Sequence, residues 1–429
     1  SHSSLSADER RRTEQAFAEA SNCVIVATST LELGLDIGDL DRVVQIDAPS
    51  RVASFLQRLG RTGRRPGGVR NCLFLAKDAA GLARSLALRQ LWAEGYVERI
   101  EPPPSPMHLF AQQILALCLQ ERGLPQGEWR QWIGGHPGFR EMSAASQKDI
   151  LTFMFEQRFL FEDGGIWSLG GQAEEEFGRR YFLDLVSAFT ADALFTVKHG
   201  DAELGSVHHL TFALRRDGPA VLLLGGRPWV VQSLDWKARV AYVVPTSEPG
   251  QSRWLGDGVP LGFPLCQAIA RVLSGAAAVP SGTLSKRAET VLGELRTEYQ
   301  WLDPSRTTVR TTSDGAVEWW TFAGAKANAS LCATLRQAGL KVRRFDNFTI
   351  HCAEDSLAAV SDAVARIRSG EQAVEAAPVS DEALEGLKFS ACLPDALARA
   401  MLQERAKDQR AMEWVRTTPH VVAAADRVD

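Results

Sequence analysis

Four prolines stand within five positions in Glu101-Pro102-Pro103-Pro104-Ser105-Pro106. Proline has no amide hydrogen to donate and its ring fixes φ, so no helix or central strand can run through this segment. It reads as a stiff linker, and it divides the chain into units that must fold on their own terms. Before it, strand and helix alternate. Ala7–Ala20 has the pattern of a charged helix. Cys23-Val24-Ile25-Val26-Ala27-Thr28 is a short apolar run expected to form a buried parallel strand, and Thr30–Leu35 a helical turn. Arg42–Ile46 reads as a second strand, Val52–Gly60 as a helix and Asn71–Leu75 as a third strand. This order predicts a doubly wound α/β unit.

After the linker the pattern changes. Helices are expected at Met107–Arg122, Glu128–Ile133 and Ala144–Gln157. A hairpin with an Asp163-Gly164-Gly165 turn follows over Phe159–Leu169. Helices ending in a small hairpin predict a winged helix. From Ala191 short strands take over, at Thr211–Arg215, Ala220–Leu224, Trp229–Leu234 and Arg239–Pro245. Such spacing predicts a barrel or compact sheet. Helices at Pro264–Leu273, Ser285–Tyr299 and Ala327–Ala338, with strands at Thr307–Thr312, Val317–Phe322 and Phe348–Cys352, continue an α+β unit. Asp381–Val415 reads as helical. The fold class is therefore multidomain, from a partial α/β domain through a winged helix to an α+β domain with a barrel-like sheet.

Composition narrows the function classes. With 45% hydrophobic and 23% charged residues over 429 positions, there is ample apolar surface for several cores. No run of about 18 apolar residues predicts a membrane span. The seven cysteines contain no C-x-x-C pair, so neither a zinc ribbon nor a disulfide framework is expected, and a reducing, cytoplasmic compartment is. A net charge of −4 excludes a wholesale polycation but not a local basic patch. The chain lacks an initiator Met and reads as if it opens inside a domain.

The strongest chemical signal is Gln57-Arg58-Leu59-Gly60-Arg61-Thr62-Gly63-Arg64. Arginine recurs at every third position, and the glycines let backbone approach a ligand closely. Guanidinium groups held this way suit the oxygens of a phosphate chain. The plain alternative is a solvated basic turn. About twenty residues upstream, Val26-Ala27-Thr28-Ser29-Thr30-Leu31-Glu32-Leu33-Gly34-Leu35-Asp36 takes a strand into hydroxyl residues and a turn. Open α/β sheets gather ligands beyond the carboxyl ends of their strands.

Together and in this order, the two segments resemble motifs V and VI of superfamily 2 helicases. Ser1-His2-Ser3-Ser4-Leu5-Ser6 resembles an earlier element of the same second RecA-like domain. Gly226-Arg227-Pro228-Trp229, Ser252-Arg253-Trp254-Leu255-Gly256 and Trp320-Thr321-Phe322-Ala323-Gly324, with Asn328 and Asp346-Asn347, are similar to the large helicase-related (Lhr) family. The resemblance implies a partial RecA-like domain over 1–100, the linker at 101–106, a winged helix over 107–175 and a family-type C-terminal domain over 176–429. It implies arginine fingers at Arg61 and Arg64, acting on ATP bound between two RecA-like domains. It places Gly34, Asp36 and Gln57 at the nucleotide, and His2, Ser3 and Thr28 on the sugar-phosphate backbone of the tracked strand. ATP and Mg2+ are the implied cofactors of the complete protein. The sequence contains no G-x-x-x-x-G-K-[ST] and no D-E-x-H or D-E-A-D. The phosphate-cradling loop and the magnesium acid would belong to the missing first RecA-like domain, so this chain alone is expected to be inactive. The resemblance implies single-stranded DNA as partner, and a 3′ to 5′ translocase acting in DNA repair.

Several residues keep two readings. Arg253-Trp254 either presents an aromatic for base stacking, worth about 1–3 kcal/mol, or packs a barrel mouth. Trp229, Trp236, Trp319 and Trp320 read as core. Lys341, Arg343 and Arg344 form either a backbone-contacting patch or a solvated strand face. His208-His209 and His351-Cys352 lack the further ligands a metal needs, which favours structural roles. The helix Ala144–Gln157 has only Lys148 and Arg158 as basic residues nearby, which favours a brace over a sequence reader. RNA in place of DNA stays open. So do a non-catalytic binding module and one subunit of a split helicase.

Overall fold

The computed structural model describes residues 40–178, 182–186, 194–200, 202–208, 221–224, 227–246, 260–279, 283–313, 315–353 and 356–423, together with residues 15, 23–26 and 212. The expected helix at 7–20 and the strand at 211–215 lie almost wholly outside these residues.

The first unit is a parallel crossover. Strand β1 (Val43–Ile46) leads into helix α1 (Val52–Leu59) and returns as β2 (Cys72–Leu75), with Val43 opposite Cys72 and Ile46 opposite Leu75. Helix α2 (Ala79–Ala93) follows, and the Asp78 carboxylate caps it by accepting from Gly81 N. Helix α1 turns Val52, Phe55 and Leu59 inward, and the Phe55 ring sits between Phe74 and Trp92. The opposite face of the strand pair, Val44, Ile46, Leu73 and Leu75, is exposed. Residues 23–26 depart from expectation: no strand forms there, and Val24 and Val26 are 91% and 81% exposed. An apolar run becomes a buried strand only when a neighbour pairs with it.

Beyond the prolines, α3 (Met107–Glu121), α4 (Trp129–Ile133), α5 (Pro137–Arg140) and α6 (Ala144–Glu156) surround a small sheet of β3 (Leu124–Pro125), β4 (Leu160–Asp163) and β5 (Ile166–Leu169), in the order β3-β5-β4. Helices α7 (Gly171–Phe177) and α8 (Leu183–Val186) close this part. Strands β6 (Leu194–His199), β7 (Ala202–His208), β8 (Val221–Leu224), β9 (Arg227–Asp235) and β10 (Val240–Pro245) form a curled half-barrel sheet in the order β7-β6-β10-β9-β8. Its core gathers Phe195, Val197, Trp229, Ala241 and Val243.

Helices α9 (Phe263–Leu273) and α10 (Lys286–Glu298) do not build a separate core. Leu265, Ile269, Leu273, Leu292 and Leu295 pack with Leu82, Leu86 and Leu91 of α2 in one cluster. Burying each such side chain stabilises by roughly 1.5–3 kcal/mol, so this cluster fixes the crossover unit against the later chain. An Arg271–Glu94 ion pair at 3.2 Å lies beside it.

The second large sheet joins β11 (Thr307–Thr311), β12 (Val317–Trp320), β13 (Val342–Phe345), β14 (Thr349–Cys352) and β15 (His420–Ala423) in the order β13-β14-β12-β11-β15. Helices α11 (Ala325–Gln337), α12 (Leu357–Ser369) and, near the end, α15 (Gln409–Thr417) cover one face, over Val309, Trp319 and Ile350. Helices α13 (Asp381–Glu385) and α14 (Asp395–Ala406) return to the unit after the linker. Leu384, Ala398 and Met401 share a core with Phe110, Ile114 and Trp129. Trp236, in the β9–β10 turn, makes a further joint. Its ring lies edge-on to Phe195 at 4.8 Å, and a Cβ on Gly386 would stand 2.9 Å from its Cε3.

Candidate nucleotide-facing site

Helix α1 delivers the arginine loop. Because α1 runs antiparallel to the strands, its carboxyl end returns to their amino ends. There Leu40 N donates to Arg61 O at 2.9 Å, Leu40 bridges Thr62, and Val43 N donates to Asn71 O at 3.0 Å. The loop therefore lies opposite the carboxyl edge at which open α/β sheets ordinarily hold ligands. The direction of the crossover helix decides this, which the strand pattern alone does not convey.

The loop is locked from inside. Thr62 is 1% exposed. Its hydroxyl donates to Leu59 O at 2.8 Å and accepts from Asn71 N at 3.0 Å, joining the end of α1 to the start of β2. Gly60 closes the helix through its amide to Leu56 O at 2.8 Å. Gly63 sits at φ +66°, and a Cβ there would come within 2.7 Å of Arg70 N. Gly63→Val is expected to lower stability by about 2 kcal/mol or more, through left-handed strain and a backbone clash. Gly67→Ala, at φ +76° with nothing within 4 Å, is the control and should lose less in thermal unfolding.

The three arginines do not share one role. Arg58 Nη1 donates to Gln45 Oε1 at 2.5 Å, while Gln45 Nε2 donates to Asp47 O at 2.7 Å, so Arg58 braces α1 against β1. Arg64 Nε donates to Gly60 O at 3.0 Å, which sets the direction in which its guanidinium leaves the turn. Arg61 is half-buried, whereas Gln57 and Arg64 are exposed. Thus Gln57, Arg61 and Arg64 occupy one helix end and its turn. His2, Ser3, Thr28, Gly34, Asp36, Arg253 and Trp254 lie outside the described residues.

Sequence reasoning missed Glu98. Val52 N donates to its Oε1 at 2.7 Å and Ala53 N to its Oε2 at 2.8 Å. The residue at the N-cap of α1 is Arg51, whose side chain makes no cap bond. Nothing local in the sequence announces a cap 46 residues away.

The later motif residues converge on a buried turn. Thr321 Oγ1 lies 2.7 Å from Asn328 Oδ1, and Asn328 Nδ2 donates to Asp346 O at 2.8 Å. Asn347 Oδ1 accepts from Leu261 N at 2.9 Å and from Ala325 N at 3.3 Å. Gly324, at φ +87°, leaves room where a Cβ would meet Leu261 O at 2.9 Å. These residues hold the loop before α9 to the second sheet. Trp319 and Trp229 are buried, while Trp236 and Trp320 are half-buried within aromatic clusters. Lys341 and Arg343 are exposed, but Arg344 is half-buried and opposite His351, so the three do not form one patch.

His351 is a buried polar centre. Its Nδ1 stands 3.1 Å from Glu318 Oε1, and its Nε2 3.6 Å from Asp346 Oδ2. The indole of Trp320 donates to Glu318 Oε2 at 2.9 Å. Burial works to lower the imidazole pKa, but the Asp346 and Glu318 carboxylates outweigh it and hold the pKa above its ordinary value.

Residues 1–66 match the Helicase conserved C-terminal domain family. The Lhr helicase/uracil glycosylase of Escherichia coli is 39% identical over 155 residues, covering 36% of this chain and 10% of that protein. ATP-dependent helicase Lhr-Core protein 2 of Thermococcus barophilus is 25% identical over 289 residues, covering 63% of this chain and 32% of that protein. The structure of Mycobacterium smegmatis helicase Lhr bound to ssDNA and AMP-PNP shares the fold, with a TM-score of 0.63 and 18% identity over 99% of this chain and 60% of that one. The chain is related to the Lhr-type superfamily 2 helicases. It spans a tenth to a third of these two curated Lhr relatives. The likeness of fold, which extends over 99% of this chain, takes in both the arginine loop and the buried turn of the second sheet. No described helix is long and apolar enough to cross a membrane.

Proposed function

We propose that this chain supplies the arginine-finger half of an ATP site in an Lhr-type helicase that moves 3′ to 5′ along single-stranded DNA and serves DNA repair. The observation that carries the reading is the locked turn at 60–64. It presents Arg61 and Arg64 from a rigid helix end, with a glycine where a Cβ would strike the backbone. Guanidinium groups so held fit the anionic oxygens of a triphosphate. Bound ATP with Mg2+ supplies the phosphoryl group whose developing charge such arginines stabilise. Arg61 and Arg64 act as the fingers, Gln57 lies at the nucleotide, and Arg58 keeps α1 in register. Gly34 and Asp36 complete the nucleotide side. His2, Ser3 and Thr28 follow the strand backbone, and Arg253 and Trp254 meet a base or phosphate further along. The helices and hairpin over 107–175 serve as a winged helix that braces the strand.

The test compares ATP hydrolysis by this chain, with single-stranded DNA, against a longer polypeptide that adds a P-loop domain. Hydrolysis only in the longer polypeptide, with DNA affinity falling steeply as salt rises, is the expected result. Absence of hydrolysis in both, with DNA still bound, would move the assignment to a non-catalytic binding module.

A further inference from the structure

We propose that Glu98 is a positioning residue for the arginine fingers, acting through α1; this rests on the ATP-site reading above and deepens it. Helix α1 has eight residues, about 12 Å of rod, and a helix that short does not hold itself together in water. Its placement depends on anchors. At the finger end these are Thr62 and the Arg58–Gln45 bond. At the other end there is no acidic residue in the first turn and no side-chain bond from the N-cap residue. Glu98 fills that role with both carboxylate oxygens, and its charge complements the positive end of the helix.

The place of Glu98 in the chain gives the clasp a second consequence. It stands three residues before Glu101 and the prolines that lead to α3. Around it Val97, Arg99 and Ile100 are exposed, while Glu98 is half-buried. The segment thus meets α1 through this side chain. A stiff proline run transmits displacement better than a flexible one. Movement of the helices and hairpin over 107–177, whose core shares no residue with the cluster of α2 and α9, would reach α1 at Glu98, and α1 would carry it to Arg61 and Arg64 at its far end. Glu98 touches no nucleotide in this scheme. It couples the downstream units to the fingers.

The experiment uses the helicase polypeptide that carries both halves of the ATP site. It compares Glu98→Ala, Glu98→Gln and Arg61→Ala with the unaltered protein. Glu98→Ala should lower DNA-stimulated kcat by about tenfold or more, since small misplacement of a transition-state group is costly. KM for ATP and affinity for single-stranded DNA should stay within about twofold, because ground-state binding does not pass through the clasp. Glu98→Gln keeps one acceptor and should fall between the two. Unchanged kcat in folded Glu98→Ala overturns the proposal. So does a loss that vanishes once rates are scaled to the folded fraction, measured by thermal unfolding. Should Glu98→Ala fail to fold, Glu98→Gln decides by the same criteria. If Arg61→Ala keeps full activity, the ATP-site reading falls and the coupling role with it. If only the Glu98 variants keep it, the coupling role alone falls.

Discussion

Arg61→Ala, in a polypeptide able to bind ATP, is expected to cut kcat for DNA-stimulated hydrolysis by about a thousandfold, and Arg64→Ala by a comparable factor. An arginine finger stabilises charge that develops on the phosphoryl oxygens in the transition state, and such groups are worth about 10³–10⁵ in rate. ATP affinity should change far less, because a finger acts on charge that develops only in the transition state. Steady-state kinetics with a parallel nucleotide-binding titration separate the two effects. Arg58→Ala should behave differently. Arg58 is tied to Gln45, so its loss should act on stability before catalysis. Equal kcat losses at positions 58, 61 and 64 would count against the division of roles drawn from the geometry.

His351→Leu is expected to cost about 3–5 kcal/mol in unfolding free energy, because it leaves the buried Glu318 carboxylate without its cationic partner. The effect should depend on pH in a definite direction. The folded pKa of His351 is raised, so between its unfolded value near 6.5 and its higher folded value the native state binds the extra proton. Its stabilising contribution is complete below about pH 6.5 and is lost as pH rises through the folded value. His108 works with the opposite sign. Burial, aided by Arg405, lowers its pKa to about 3, so its contribution is lost as pH falls below about 6.5. His420 is also lowered, by burial and then by Arg368. Between pH 6.5 and about 8, below the range in which the buried cysteines titrate, the contributions of His108 and His420 no longer change and that of His351 does. Denaturant unfolding from pH 6.5 to about 8 should show the gap between the unaltered protein and His351→Leu narrowing as pH rises. A constant gap would mean that folding does not raise the pKa of His351.

Much of the architecture was legible. Helix α1, β1 and β2 fall within a residue or two of the periodic reading, because a βαβ crossover writes its signal locally in apolar runs and a short amphipathic helix. The Asp163–Gly165 turn placed the β4–β5 hairpin for the same reason. Other elements left weaker traces. Helix α2 is apolar on most sides, since Leu82, Leu86, Leu88 and Leu91 are buried among themselves, α1 and α9, so no clean amphipathic stripe marked it. Strand β15 pairs in parallel with β11 across more than a hundred residues, and no local pattern encodes a partner that distant. The run at 23–26 shows the converse, an apolar sequence that forms no strand and leaves Val24 and Val26 exposed.

At the candidate site the division is sharper. The Gln57 to Arg64 motif stood out in the sequence, because its arginines and glycines recur at fixed spacing within one turn. Together with the segment at 26–36 it carried the resemblance to helicases, and with that resemblance the expectation of a phosphate ligand and a second domain. Only the tertiary structure decided which end of the sheet receives the loop, that Arg58 is bonded to Gln45 and Arg64 to Gly60 O, and that Glu98 caps the helix behind them. The reason is physical. Residue types and short spacings carry chemical capacity, whereas direction, partnership and burial arise from contacts between segments far apart in the chain, which exist only once the chain has folded.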